Sequence, residues 1–383
     1  MAYFKLPLGV QDLLPDECYN LNVIKAKLTA LFEGAGYRFV STAILDYYDT
    51  YSDIRNKIPQ EKMFKMTDVD GSLLVLRPDM TLSVCRMAAK LKEKRTKLAY
   101  FSNIWNARES GGISAREVLQ GGVEMLGVSG AYADAEMIAL AIECGMALGL
   151  QDFILDIGHV GFFKGILRES GLSSEETEEV RRFVNAKDII GAQRIVGDSK
   201  AKEAILALPT LFGGVEVIDR AERLTDCETS LEALRHLREV YELLVRFGYE
   251  KHISIDLGTV KSLSYYSGVV FTGLSGVIGA SVLSGGRYDA LANEFGSDFP
   301  AVGFAVGLKR VLIALERQGD LVKAPAAECC VIAEPHCEAE AYAFCLSLRK
   351  KGKRAELFHG EREEAMRSGM QVYLVGKEGG RLL

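Results

Sequence analysis

Three short segments bring together side chains that could hold a charged small molecule. The first is EVLQGGVEML, residues 117–126, which reads as a strand. Alternation of faces puts Gln120, Gly122 and Glu124 on one side and Leu119, Val123 and Met125 on the other. Two polar groups flanking a residue without a side chain make a slot. There a ligand could reach the backbone while an amide and a carboxylate contact it, which suits a cationic or imidazole-bearing group. A solvated strand face is the competing reading for Glu124. The second segment is RPDMT, residues 77–81, at the start of a helix. A carboxylate beside a hydroxyl, Asp79 and Thr81, can bind an α-ammonium group; equally, Asp79 is an N-cap and Thr81 a first-turn residue. The third is SGGRYD, residues 284–289, followed by Gly303 and Gly307 at what reads as the glycine-bearing start of a helix carrying Arg310. Adjacent glycines let a backbone approach a planar ligand or a phosphate. Neither a G-x-x-x-x-G-K-[ST] loop nor G-x-G-x-x-G is present, so the common mononucleotide folds lose support.

The chain that must position these groups has 383 residues, enough for two to three domains with a sizeable core. Its net charge of −6 argues against wholesale wrapping of nucleic acid, which needs a basic surface. The N-terminal MAYFKLPLGVQDLLP carries Pro7 and Asp12 where a secretory signal needs an apolar run, so the expected compartment is the cytoplasm. The eight cysteines then read as reduced thiols. Cys329, Cys330, Cys337 and Cys345 cluster beside His336 without C-x-x-C spacing, so no metal site is assigned, and no cofactor either. The long uncharged stretch 262–286 is rich in Ser and Gly and reads as two β segments joined by a Leu274–Ser275 turn, not as a membrane span.

Helical spacing of Leu21, Ile24, Leu28, Leu31 and Phe32 after Pro15 predicts a helix ending at Gly34 and Gly36, and YRFVSTAIL a strand after it. MFKMTD and SLLVLR flank Asp70-Gly71 as a hairpin, and a helix runs from about Asp79 to Lys92. LAYFSNIW and EVLQGGVEML are long strands on either side of a mobile loop, Ala107 to Ala115. Such long antiparallel segments predict an α+β sheet. From Ala131 to Gly248 the pattern is mostly helical apart from the short strand DFILDIG, which predicts a helical insertion at about 159–250. The sheet resumes with HISIDLG and ends in the helix GFAVGLKRVLIALERQ. The expected division is a core of residues 1–324 and a small C-terminal α/β lobe, 325–383, with strands CCVIA, AELF and QVYLVG around one helix.

RPDMT, the strand pair around Trp105 and Glu124, LQGGVEMLG, TVKSLSYYSGVVF, SGGRYD and PAVGFAVGLKRVL occur in the order found in histidyl-tRNA synthetases, and the resemblance covers roughly residues 1 to 320. It implies a class II synthetase fold: a mixed, mainly antiparallel sheet flanked by helices, with a helix–strand dimer interface near the N-terminus. By the same resemblance Asp79 and Thr81 would hold the histidine amino group. Gln120 and Glu124 would read the ligand, and Tyr265 and Tyr266 would line the imidazole pocket.

The departures decide the expected function. Where catalytic members carry an arginine that grips the α-phosphate, Trp105 is followed here by Asn106, with Arg108 two residues on as a possible substitute. The catalytic arginine of a later motif is Lys261, and its aspartate is Ser264. Lysine cannot reproduce a planar two-point grip on phosphate, which adenylation needs for charge stabilisation. The C-terminal lobe is also short of an anticodon-binding domain, so tRNA is not an expected partner. A synthetase core that keeps its amino-acid residues and loses its phosphate grip resembles the regulatory subunits of ATP phosphoribosyltransferase. That resemblance implies no catalysis, a short-form catalytic subunit as partner in the first step of histidine biosynthesis, and L-histidine as feedback ligand. It also implies a homodimer inside a hetero-oligomer, a hetero-octamer. A working histidyl-tRNA synthetase is the alternative, and a synthetase-like ligase with another substrate the third reading.

Overall fold

The computed structural model describes residues 5–52, 58–91, 93, 95–107, 115–186, 188–197, 199, 201–258, 266–293, 299–360 and 362–383. The N-terminal part runs α1 (Pro15–Gly34), β1 (Arg38–Phe39), β2 (Leu45–Tyr47), α2 (Asp49–Ser52), β3 (Lys65–Thr67), β4 (Leu73–Leu76), α3 (Met80–Ala88), β5 (Thr96–Trp105), β6 (Glu117–Leu126), α4 (Ala131–Leu148) and β7 (Phe153–His159). A mostly helical stretch follows: α5 (Val160–Ser170), α6 (Ser174–Asn185), α7 (Ile189–Val196), α8 (Lys202–Ala207), β8 (Phe212–Gly213), α9 (Glu216–Glu222) and α10 (Glu228–Arg246). The sheet then resumes with β9 (Ile253–Asp256), β10 (Val269–Ser275), β11 (Ala280–Arg287), α11 (Asp289–Asn293), β12 (Ala301–Gly307) and α12 (Leu308–Gln318).

α1 begins where the sequence says it should. Pro15 needs no helical N–H partner, and Glu17 reaches back to accept from the Leu14 N–H at 2.7 Å. Its stripe Leu21, Ile24, Leu28 and Phe32 is buried on the sheet. α4 is apolar around most of its circumference because it is enclosed by the sheet and by α1 and α10.

The central sheet has nine strands in the order β1-β5-β6-β12-β11-β10-β7-β9-β8. Pairing is parallel for β1 with β5 and for β7 with β9, and antiparallel elsewhere, so the sheet is mixed and mainly antiparallel as expected for a class II core. One face carries the larger core, including Ala99, Val123 and Met125 under α1 and α4. The other carries a smaller core in which Leu98, Tyr100 and Leu126 meet Met80, Cys85 and Tyr288. Beside it stands a three-stranded sheet, β2-β4-β3, whose β3–β4 hairpin turns through Asp70-Gly71.

Several details of the core differ from the sequence reading. YRFVSTAIL divides into β1 and β2, because Thr42 and Ala43 offer their carbonyls to the buried Arg77 guanidinium, at 3.1 and 2.8 Å, instead of to a ladder. The turn after β10 is Gly276–Gly279, with Gly279 at φ +60°, so Leu274 and Ser275 stay in the strand. Gly303 and Gly307 lie in β12, and the helix starts only at Leu308; paired on both sides, AVGFAVG is an inner strand. The helical stretch also holds the short strand β8.

Contacts divide the chain into two compact units, the second from Val322 to Leu383. It comprises β13 (Cys329–Ala333), α13 (Glu338–Lys350), β14 (Ala355–Leu357), α14 (Arg362–Arg367), β15 (Gln371–Gly376) and β16 (Gly379–Leu382), with strand order β14-β13-β15-β16. α14 and β16 were not read from the sequence. All four cysteines of this unit are buried, and among the described residues no group of His, Cys, Asp and Glu could hold a metal ion. No described helix is long and apolar enough to cross a membrane.

Candidate functional site

Arg77 fixes the start of α3. It is 1% exposed and ties the 42–43 segment to β5 by donating also to the Asn103 carbonyl, at 2.9 Å. Pro78 follows, and Asp79 caps the helix, Oδ1 accepting from the Leu82 N–H at 2.8 Å. Thr81, in the first turn, faces the sheet. Its hydroxyl donates to Glu124 Oε1 at 2.8 Å.

Glu124 is 1% exposed, so the solvated-face reading is overturned. Three hydroxyls surround its carboxyl: Thr81 and, at 3.4 Å, Tyr100 on Oε1, and Tyr288 on Oε2. Burial pushes its pKa up to about 8, and the Asp79 charge adds to this; the hydroxyls of Tyr288, Thr81 and Tyr100 favour the ionised form but do not outweigh burial. Tyr266 is raised as well, by burial first and then by the charges of Asp79 and Glu124. Asp79, Thr81, Glu124 and Tyr266 therefore share one small acidic, hydroxyl-lined region.

Other expectations fall elsewhere. The slot above Gly122 is filled by the chain itself: a side chain there would collide with the Tyr100 hydroxyl, because Tyr100 sits directly opposite Gly122 in the β5–β6 ladder. The glycine thus makes room for a tyrosine that bonds Glu124, not for a ligand at the backbone. Gln120 shares Glu124's face but lies four residues along the strand, about 13 Å away. It pairs with Gly307, where Asn106, Glu117, Val118, Gly307 and Arg310 line a separate cavity of about 310 Å³. Arg310 there donates to the Ser281 carbonyl at 2.8 Å and hydroxyl at 3.0 Å. Lys261, Ser264, Tyr265, Arg108 and the body of the 107–115 loop lie outside the described residues.

Two members of the site went unread in the sequence, Tyr100 and Tyr288. Tyr288 had a signal, since it follows Arg287 in the glycine-rich SGGRYD segment already singled out. Tyr100 had none beyond lying in the partner strand.

A family model described as histidyl-tRNA synthetase matches residues 9–311. A curated ATP phosphoribosyltransferase regulatory subunit from Acetivibrio thermocellus is 42% identical over 366 residues, 93% of this chain and 88% of that protein. One of the same description from Clostridium acetobutylicum is 38% identical over 92% of this chain and 89% of its own length. Among solved structures, an ATP phosphoribosyltransferase regulatory subunit/histidyl-tRNA synthetase from Bacillus halodurans superposes with a TM-score of 0.86 at 30% identity, covering 97% of both chains. A histidyl-tRNA synthetase from Nostoc sp. PCC 7120, at 19% identity and a TM-score of 0.78, shares the fold over 98% of this chain and 92% of its own. A class II core, a buried Glu124 facing α3 and whole-length similarity to these relatives agree: the chain belongs to the histidyl-tRNA synthetase family, among its ATP phosphoribosyltransferase regulatory subunits.

Proposed function

We propose that the protein performs no aminoacylation and acts in the cytoplasm on a short-form ATP phosphoribosyltransferase catalytic subunit, as the subunit that senses L-histidine. The observation that carries this reading is an asymmetry. Asp79, Thr81 and Glu124, which by resemblance would form the amino-acid end of a synthetase site, lie together around α3 and β6. By the same resemblance, Asn106 stands after Trp105 where a synthetase would grip phosphate, and Lys261 and Ser264 stand where two further catalytic residues would be.

Asp79 and Thr81 would hold the α-ammonium group and Glu124 the imidazole, with Tyr266 and, by resemblance, Tyr265 closing the pocket; Gln120 would reach the ligand only from farther along β6. Guanidinium groups act on phosphate through two parallel hydrogen bonds, so an amide and an ammonium at these positions leave a developing phosphoryl charge without its clamp. The assembly is proposed as a homodimer within a hetero-oligomer, a hetero-octamer. The test is reconstitution. The chain alone should bind L-histidine calorimetrically and give no phosphoribosyl transfer, and adding it to the short catalytic subunit should switch on histidine-inhibitable activity. Activity of the catalytic subunit that is unchanged by the chain would overturn the reading.

A further inference from the structure

Beside the Glu124 site lies a buried ionic joint between the helical insertion and the sheet. Asp134, on α4, is fully buried and its two oxygens serve different elements. Oδ1 accepts from Arg287 Nε and Nη2, at 2.9 and 2.6 Å; Oδ2 meets His236 Nε2 of α10 at 2.8 Å. Burial would raise the Asp134 pKa, but the hydrogen bonds from His236 and Arg287 hold it below the ordinary carboxylate value. A carboxylate held ionised must therefore receive a proton-bearing Nε2 from His236. The His236 ring is set in turn against His159, 5.4 Å away edge to face, and His159 is fixed by accepting the Gly161 N–H at its own Nδ1, 3.1 Å.

Arg287 is the last residue of β11, and the next residue is Tyr288, whose hydroxyl bonds Glu124. The peptide between them is held on both sides: Ser267 N–H donates to the Arg287 carbonyl and Tyr288 N–H to the Ala301 carbonyl, each 2.8 Å. The guanidinium also meets Val128 O and Asp289 Oδ1 through Nη1, at 3.2 and 3.0 Å. A second tie runs from the insertion, Lys164 Nζ to the Tyr266 carbonyl at 2.9 Å. Of the three side chains His236 is the most exposed, at 27% against 7% for Arg287 and none for Asp134, so the joint can be disturbed from the insertion's surface.

We propose that His236 and Asp134 are positioning residues for the Glu124 site: they tie α10 to Arg287, and through it to Tyr288, so that a displacement of the insertion is felt at the pocket. Loss of the His236 contact leaves Asp134 short of one donor in a buried place, where the remaining charges must rearrange. The backbone that would transmit the change is the pair of stretches carrying Tyr266 and Tyr288, joined by the Ser267–Arg287 hydrogen bond. The proposal rests on the histidine-binding reading for its functional meaning, and its test separates the two.

Full-length protein and the His236→Ala, His236→Gln, Tyr288→Phe and His236→Ala/Tyr288→Phe variants are titrated with L-histidine and compared by hydrogen exchange. His236→Ala should weaken histidine binding about five-fold or more, the lower end of ordinary intersite coupling. His236→Gln, which keeps an N–H donor, should restore it. In the Tyr288→Phe background His236→Ala should add nothing, because the route to the carboxyl is already cut. Exchange of the Ser267 and Tyr288 amides should rise in His236→Ala with the ligand absent. Raised exchange together with no histidine binding in any form, wild type included, would sink the ligand assignment and leave the joint standing. Unchanged exchange at these two amides, or equal fold-losses in both backgrounds, would overturn the joint itself.

Discussion

Gly303 lies directly across the β6–β12 ladder from Glu124, and the space its side chain would need is occupied by the Glu124 carboxyl and the Val123 carbonyl. A methyl group here has to move a buried carboxyl that three hydroxyls hold. Gly303→Ala should therefore cost about 1–3 kcal/mol of stability, the range for overpacking. Its histidine affinity should fall even where the fold survives. Chemical denaturation beside calorimetry measures both, and an unperturbed variant would show that the carboxyl is free to shift.

Glu124 also sets a pH dependence. Its pKa rises to about 8 on folding from an ordinary glutamate value near 4.5, so between these limits the native state keeps a proton that the unfolded state releases. Stability from this group is complete below about pH 4.5 and is lost as pH climbs toward 8, with a slope of up to about 1.4 kcal/mol per unit. Glu124→Gln cannot titrate. The fall in denaturation midpoint from pH 5 to pH 8 should be smaller in the glutamine variant than in the wild type; equal falls would mean the carboxyl is ionised throughout.

Asp79 carries two duties that substitution can separate. Its side chain caps α3, and its charge reaches Glu124 and Tyr266. Asp79→Ser should keep the cap and nearly all of the stability while losing histidine binding. Asp79→Ala should lose both, with about 1 kcal/mol of stability gone. Binding that survives in the serine variant would leave Asp79 as a cap alone.

The pocket is predicted to bind histidine without activating it. Histidine-dependent exchange of pyrophosphate into ATP should be absent, and Glu124→Ala should weaken histidine binding by about 1.5–3 kcal/mol, the scale of a hydrogen bond to a charged group. Exchange at a synthetase-like rate would restore the enzyme reading.

Local signals carried much of this architecture. α1, the β3–β4 hairpin, β5 and β6 follow from Pro15, Asp70-Gly71 and two long apolar runs, each of which needs only its neighbours in sequence. What stayed hidden depends on pairing across the sheet. Gly122 reads as an opening until Tyr100 is found opposite it, and Gly303 reads as the start of a helix until β12 is seen between β6 and β11. Glu124 is a similar case. Alternation gives its face correctly, but whether that face is wet depends on α3 covering it. Asp134 and His236, 102 residues apart, gave no local sign of meeting.

The hydroxyl cage around Glu124 also bears on how tightly a ligand should be held. Every donor that a guest offers this carboxyl competes with Thr81, Tyr100 and Tyr288, which are tethered to the chain and never diffuse away. Part of the guest's interaction energy is spent on displacing them, so occupancy comes late, at higher guest concentration than an open carboxyl would need. For a gauge of an end-product pool that is an advantage, since an instrument that saturates at trace levels cannot register abundance.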